Sequence, residues 1–253
     1  MGPSISAVIL THNSARMLEP VLQALTWCSE IVIVDSGSTD ATLEIAARFQ
    51  AKVTQKKLDQ GFGEQKRFAV SCASNDWVFV VDSDEIVSPG LAAEIRSSPF
   101  TRVGYKVHRP LIFLGHRLKF SGTQNDWQLR LFDRRRANFN SARVHEDVVL
   151  SGGENGKQWW TRLAGELDHY SYPTLEDYFA KFNRYTSLAA EELKVRGSKV
   201  SFFKIWTAFP ATFIKLYFLK LGVLDGFYGF LWCLLSAVSP VVKYQKFQQL
   251  GHS

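Results

Sequence analysis

Within the first 82 residues, four short apolar runs alternate with stretches of helical spacing, and three of the runs close on clusters of polar residues. The runs are residues 5–11, 31–35, 51–54 and 77–82; the helical spacing covers 16–25, 41–49 and 63–73. Val, Ile and Phe dominate the runs, which therefore read as buried strands. The order βαβαβαβ requires a parallel sheet, because parallel neighbours need a crossover long enough to hold a helix. Ligands of such sheets sit beyond the carboxyl ends of the strands. The polar ends are Thr11-His12-Asn13, Asp35-Ser36 and Asp82-Ser83-Asp84-Glu85. Turn chemistry alone would also favour Asn, Asp and Ser at one such end; three on one edge point to a site.

The third end is the most acidic. Three carboxylates after a buried strand repel one another and gain nothing from packing. Their common use is to hold a divalent cation through hard oxygen ligands, together with a substrate's phosphates. No GxxxxGK[ST] loop is present, and Gly61-Phe62-Gly63 has neither the third glycine nor the position of a dinucleotide fingerprint. Ordinary NTPase and NAD chemistry are disfavoured, and an acid-held metal offers another way to handle phosphates.

At 253 residues the chain can bury a sizeable core. Three cysteines without CxxC spacing argue against a disulfide framework or zinc site and for a reducing compartment. A strand pattern begins almost at once, with no secretory signal pattern before it. The net charge is +6, yet residues 194–253 hold eight Lys and Arg against one acid, Asp225. The excess positive charge therefore lies in the most apolar and aromatic part of the chain. That combination points to an anionic membrane surface and not to nucleic acid. A tail packed on its own protein, with solvated lysines, is the alternative.

The segments Val8-Ile9-Leu10-Thr11-His12-Asn13, Ile33-Val34-Asp35-Ser36-Gly37-Ser38-Thr39-Asp40 and Asp82-Ser83-Asp84 resemble, in order and spacing, family 2 glycosyltransferases of the GT-A fold. The likeness covers roughly residues 5–150, and Asp82-Ser83-Asp84 stands at the family's DXD element. The run Gly222-Val223-Leu224-Asp225-Gly226-Phe227-Tyr228-Gly229-Phe230 is similar to a bacterial subgroup acting on lipopolysaccharide core, whose members transfer glucose to an inner-core heptose.

The resemblance implies an α/β, Rossmann-like mixed sheet flanked by helices, with a C-terminal helical, membrane-associating segment. It implies an inverting transferase moving a hexose, with glucose expected, from a UDP-sugar to a lipid-linked core oligosaccharide with the help of Mg²⁺ or Mn²⁺. Asp35 would accept a hydrogen bond from the uracil imide. Thr11, Asn13, Ser36 and Ser83 would line the nucleotide-sugar pocket, Asp82 would contact ribose, and Asp84 would bind the metal with Glu85 in support. Asp40 caps a helix or meets the nucleotide. Lys66, with Arg67, pairs with the diphosphate or faces solvent.

Inversion needs a general base on the face opposite the leaving group. Val144-His145-Glu146-Asp147-Val148 suits that element, with Glu146 the expected base, Asp147 its alternative, and His145 a metal ligand or a group orienting the base. Residues 103–133 read as β-rich, with a hairpin at Gly115, and form an acceptor wall. There Trp127 would stack on a sugar and Arg130 would pair with an acidic group. The triple arginine 134–136 could act likewise or be a solvated turn, and Trp159-Trp160 is core or interfacial.

The expected domains are 1–172, with the nucleotide-sugar site in 1–100 and the acceptor and base region in 101–172, and a helical region 173–253. A helix over 174–196 starts at Thr174 as cap. From about 198 the segment reads as interfacial. Its longest uncharged run, 226–242, is seventeen residues long and interrupted by Gly, Ser and Pro. That is at the floor for a span, so a helical pair lying in or dipping into the cytoplasmic leaflet of the inner membrane is expected, with a single span or a dimer interface as the alternatives. A homo-oligomer is left open. The competing classes are a sugar-phosphate nucleotidyltransferase and a non-catalytic membrane scaffold.

Overall fold

A computed structural model describes residues 3–59, 61–142, 146–151, 159–198 and 200–251. In chain order the elements are β1 (Ile5–Thr11), α1 (Ala15–Gln23), β2 (Glu30–Asp35), α2 (Thr42–Arg48), β3 (Lys52–Gln55), α3 (Phe62–Ser71), β4 (Trp77–Asp82), β5 (Glu85–Val87), α4 (Pro89–Ser97), β6 (Gly104–His108), β7 (Leu111–Phe113), β8 (His116–Arg117), β9 (Trp127–Asp133), β10 (Ala137–Phe139), β11 (Val148–Leu150) and β12 (Trp160–Tyr172). They are followed by α5 (Leu175–Val195), α6 (Phe202–Ile214), a π turn (Lys215–Leu219), a 3₁₀ turn (Gly222–Asp225) and α7 (Gly226–Gly251). The chain forms two compact units, one of residues 1–109 and 126–169, the other of 110–125 and 170–253. Residues 110–125 thus group with the C-terminal helices and not with the sheet.

The first unit is a mixed α/β layer. Its sheet runs β3-β2-β1-β4-β9-β6-β12. The first four strands are parallel, β9 is antiparallel to both neighbours, and β12 is parallel to β6. The alternation along β1 explains the two faces. Ile5, Ala7 and Ile9 pack with Leu18 and Leu22 of α1 and Leu91 and Ile95 of α4. Val8 points the other way, into a cluster with Ala69 and Val70 of α3 and Phe139 of β10. Each fully buried side chain of this size contributes about 1.5–3 kcal/mol. Helix α4 starts on Ser88, whose hydroxyl accepts from the Leu91 N–H at 3.2 Å, with Pro89 in the first turn.

Register then fixes the polar edge. Thr11 is opposite Asp35, and Leu10 is opposite Asp82. Three strand ends of unrelated sequence position therefore share one edge. Short β5 turns back antiparallel on β12, setting Glu85 against His169.

The second unit pairs a hairpin with helices. Strands β7 and β8 turn through Leu114 and Gly115, both at positive φ (50° and 78°), as a two-residue hairpin requires. Phe113 meets Tyr178 and Trp232 edge-on at 5.9 and 5.3 Å. These rings cover Leu111 and Leu118, which is why 110–125 belongs here: its apolar side chains find their cover on α5 and α7. The Thr174 cap is as expected, its Oγ1 accepting from the Asp177 N–H at 3.1 Å.

The 222–230 run makes a joint in this unit. The Asp225 carboxylate accepts from the backbone of Lys119 and Phe120 at 3.0 Å each and from the Ser121 hydroxyl at 2.7 Å. A Cβ on Gly229 would lie 2.2 Å from the Gly222 carbonyl oxygen, so no other residue fits that approach. From Gly222 to Leu250 the helical segment is long and apolar enough to cross a membrane by length and composition.

Candidate active site

The ends of β1 and β2 are tied into one surface by short polar side chains. The Thr11 hydroxyl donates to Asp35 at 2.8 Å. Asp35 also accepts from the Gly37 and Ser38 N–H groups at 2.9 and 2.8 Å and from the Ser38 hydroxyl. Burial pushes the Asp35 carboxyl up, but these hydrogen bonds outweigh it and hold it below the usual carboxylate range. Asn13 completes the knot, donating its N–H to Ser38 Oγ and accepting from the Thr39 N–H, both at 2.8 Å.

A carboxylate has about four acceptor positions. All four are taken within the protein here, and Asp35 is fully buried. Thr11 is buried with it. The half-exposed group at this strand end is Ser36, whose hydroxyl accepts from Gln65 at 3.3 Å. Asp40 binds the Ala15 and Thr42 N–H groups at 3.1 and 3.0 Å, so it fastens the starts of α1 and α2. Ser83 accepts from the Ser14 hydroxyl at 3.0 Å, joining the β1 and β4 ends.

The acids after β4 differ sharply in environment. Glu85 is fully buried. It receives the Asp82 N–H at 2.8 Å, Arg109 at 3.0 Å, and Arg130. Asp82 meets Arg130 at 2.7 Å, Lys66 at 3.4 Å and Arg109 at 3.7 Å. Burial alone would raise its pKa, but Arg130, Lys66 and Arg109 hold the carboxyl well below the usual range. Arg130 is 4% exposed. It does not reach out to an acceptor as expected, because β9 runs beside β4 and delivers its guanidinium between Asp82 and Glu85.

Glu146 reaches the cluster through Lys66, whose Nζ lies 2.8 Å from its carboxylate and 3.4 Å from Asp82. Gly63 permits this. A Cβ there would stand 2.5 Å from the carbonyl oxygens of Asn140 and Ala142, so only glycine lets α3 come this close to the 140–142 segment. Asp147 is exposed, and its backbone pairs with Asn140. His145 lies outside the described residues. Trp127 sits between His108, at 5.1 Å, and the Arg162 guanidinium, at 4.5 Å.

His169 joins the site without having stood out in the sequence. Its Nε2 is 3.6 Å from Asp84 Oδ2, because β5 pairs with β12 in the register that sets His169 against Glu85. Among the described residues no group of three or more His, Cys, Asp or Glu side chains makes a complete metal cage. Asp84 and His169 fit a shared site. Two ligands at right angles and about 2.1 Å from a small divalent cation lie about 3 Å apart. One hard oxygen and one imidazole suit Mn²⁺, and the oxygen suits Mg²⁺. The remaining positions would fall to phosphate oxygens and water.

A mixed α/β sheet flanked by helices, with knotted loops at the first two strand ends and an acidic turn at the fourth, has the GT-A architecture. The model of glycosyl transferase family 2 matches residues 6–148, more than half of the chain, and the chain belongs to that family. It is 28% identical to the lipopolysaccharide core biosynthesis glycosyltransferase LpsC of Rhizobium meliloti, over 97% of this chain and 92% of that protein. An uncharacterized glycosyltransferase of Rickettsia typhi is 29% identical over 98% of this chain and 87% of its own length. A solved structure of glucosyl-3-phosphoglycerate synthase from Mycobacterium tuberculosis, in complex with Mn²⁺, UDP and glucosyl-3-phosphoglycerate, is 24% identical over 42% of this chain and 44% of its own, with a TM-score of 0.36. This chain thus spans less than half of that structure.

Proposed function

We propose that this glycosyltransferase moves a hexose, glucose by preference, from a UDP-sugar to a heptose of a lipid-linked lipopolysaccharide core, with inversion and with Mn²⁺ or Mg²⁺ bound. The observation that carries the reading is the Asp84–His169 pair at the acidic strand end, beside the two polar loops. LpsC, similar over nearly its whole length, supports the class of acceptor.

The residues divide the work. Ser36, Asn13, Ser83 and Gln65 border the nucleotide, and Thr11 and Asp35 brace that loop from beneath. Asp82 faces the ribose. Asp84 and His169 would hold the cation, which neutralises charge on the departing diphosphate. Glu146 takes the proton of the acceptor hydroxyl as that oxygen bonds to the anomeric carbon and the sugar–phosphate bond breaks, leaving UDP with the electron pair. Lys66 pairs with Glu146 here. A diphosphate oxygen would compete for the same ammonium and release the carboxylate.

The test is UDP release by purified enzyme with UDP-glucose, Mn²⁺ and a heptose-terminated core acceptor. Glu146→Gln is expected to lower turnover about 10²–10⁴-fold while UDP affinity stays within about threefold. Turnover within threefold of wild type would remove Glu146 from the base role and move attention to Asp147.

The second unit supports membrane docking on the cytoplasmic face. Phe218, Leu219, Leu224 and Phe227 are more than half exposed around the turn between α6 and α7. Lys215 and Lys220 flank them, and Asp225, the nearby acid, is consumed by its three hydrogen bonds. Aromatics at the acyl boundary with lysines on phosphates suit an anionic bilayer. Leu219→Glu with Leu224→Glu is expected to abolish co-flotation with phosphatidylglycerol-containing vesicles. Flotation unchanged by the pair, or equal on neutral vesicles, would place the anchor elsewhere.

A further inference from the structure

A second charged feature of the first unit lies on the sheet. Lys106 on β6 and Arg162 on β12 are register partners on parallel strands, so their side chains leave the same face side by side. Neither cation has an acid partner among the described residues. Each lies over an indole instead: Lys106 Nζ is 4.1 Å from the Trp160 ring centroid, and the Arg162 guanidinium is 4.5 Å from that of Trp127. His108 flanks Trp127 and is itself occupied with Glu166 at 3.1 Å. Arg162 is exposed, and Lys106, Trp127 and Trp160 are half-buried.

This pairing is costly without a ligand. Like charges on neighbouring strands repel, and a cation–π contact at an exposed site is weak and leaves the cation's charge unneutralised. A guanidinium lying flat on a ring keeps its in-plane N–H groups for a further acceptor. Indoles supply apolar surface for the C–H face of a pyranose, with a polar edge beside it. Two uncompensated cations interleaved with two indoles thus match a ligand that is anionic at one end and a sugar ring at the other.

We propose that Lys106, Arg162, Trp127 and Trp160 form a binding face for an anionic saccharide. The phosphate or carboxylate of the sugar is held between Lys106 and Arg162, and its ring lies against the indoles. The assignment deepens the acceptor half of the proposed reaction and rests on that reading for the identity of the natural ligand. The ligand chemistry stands without it: a sugar carrying a phosphate or carboxylate, not a neutral sugar and not a bare anion.

The experiment is calorimetric titration of the intact protein with mannose 6-phosphate, mannose and inorganic phosphate, each without nucleotide. Wild type is expected to bind mannose 6-phosphate at least about fivefold more tightly than phosphate and to leave mannose unbound. The Lys106→Gln, Arg162→Gln double variant is expected to lose at least about tenfold in affinity for mannose 6-phosphate, with Arg162→Lys intermediate and its melting temperature that of wild type. Equal affinity of wild type and double variant overturns the proposal, as does equal binding of phosphate and sugar phosphate. UDP titrated with Mn²⁺ keeps the two readings apart. The double variant is expected to bind UDP as wild type does, and failure of both proteins to bind UDP would sink the donor reading while leaving the saccharide result intact.

Discussion

Asp84→Ala is expected to reduce sugar transfer by at least about a thousandfold, roughly 4 kcal/mol of barrier. The loss should be the same at every Mn²⁺ concentration that supports wild type. The reasoning is electrostatic. When the sugar–phosphate bond breaks, a further negative charge collects on a diphosphate that is already anionic. Among the described cations at this strand end, Arg130 and Arg109 are committed to Glu85 and Asp82, and Lys66 brings a single charge. A metal on Asp84 and His169 would supply the larger share of the compensating charge. His169→Ala should follow in the same direction with a smaller loss, since the carboxylate still offers a ligand. Mn²⁺ should raise the melting temperature of wild type in the presence of UDP and leave that of Asp84→Ala unmoved. Transfer by Asp84→Ala within tenfold of wild type under limiting metal would contradict the assignment.

Arg130→Met has the largest expected effect on stability. It preserves most of the side-chain volume and removes the charge that sits between two acids, one of them fully buried. Breaking such a pair costs about 3–5 kcal/mol, because an uncompensated charge stays behind, and a chain of this size then melts about 10 °C lower. Arg130→Lys should recover little, since one ammonium lacks the fork that spans both carboxylates.

Acid provides an independent check. The folded pKa of Asp82 lies well below its ordinary 3.8. Its contribution to stability is therefore full above that ordinary value and is lost as pH falls through the folded one. Wild type should lose stability on acidification below about pH 4. In Arg130→Met the carboxyl is no longer held down as far, so the melting temperatures of the two proteins should converge in acid. A constant gap from pH 7 to pH 3 would mean that the arginine acts through packing and not through charge.

The alternating strands and helices were legible because side-chain period and polar strand ends report directly on a parallel sheet. The Thr174 cap and the Gly115 hairpin were legible for a similar reason, since each depends on a few neighbouring residues. Arg130 stands between Asp82 and Glu85 because β9 lies beside β4, a pairing that spacing along the chain does not show. The bonds Asp35 accepts from Thr11, Gly37 and Ser38 become visible only with the backbone folded around it. His169 could not be reached from sequence spacing, since it lies far along the chain from Asp84 and meets it only through the β5–β12 register. The unit boundary was hidden because the apolar residues of 110–125 look no different from those of the sheet strands on either side.

Residues 110–125 are an insert, and their two ends meet. The Arg109 N–H donates to the Asp126 carbonyl at 2.8 Å, and the Arg109 side chain reaches the Asp126 carboxylate at the same distance. Cutting the chain after 169 would not isolate the catalytic layer. It would leave sixteen residues stranded, with Leu111, Phe113 and Leu118 stripped of the helices that shelter them. The cleaner excision removes both pieces and joins Arg109 to Asp126 through one or two glycines, a closure that an existing backbone hydrogen bond already spans. A minimal, tail-free version of this transferase is therefore a problem of two cuts and one splice.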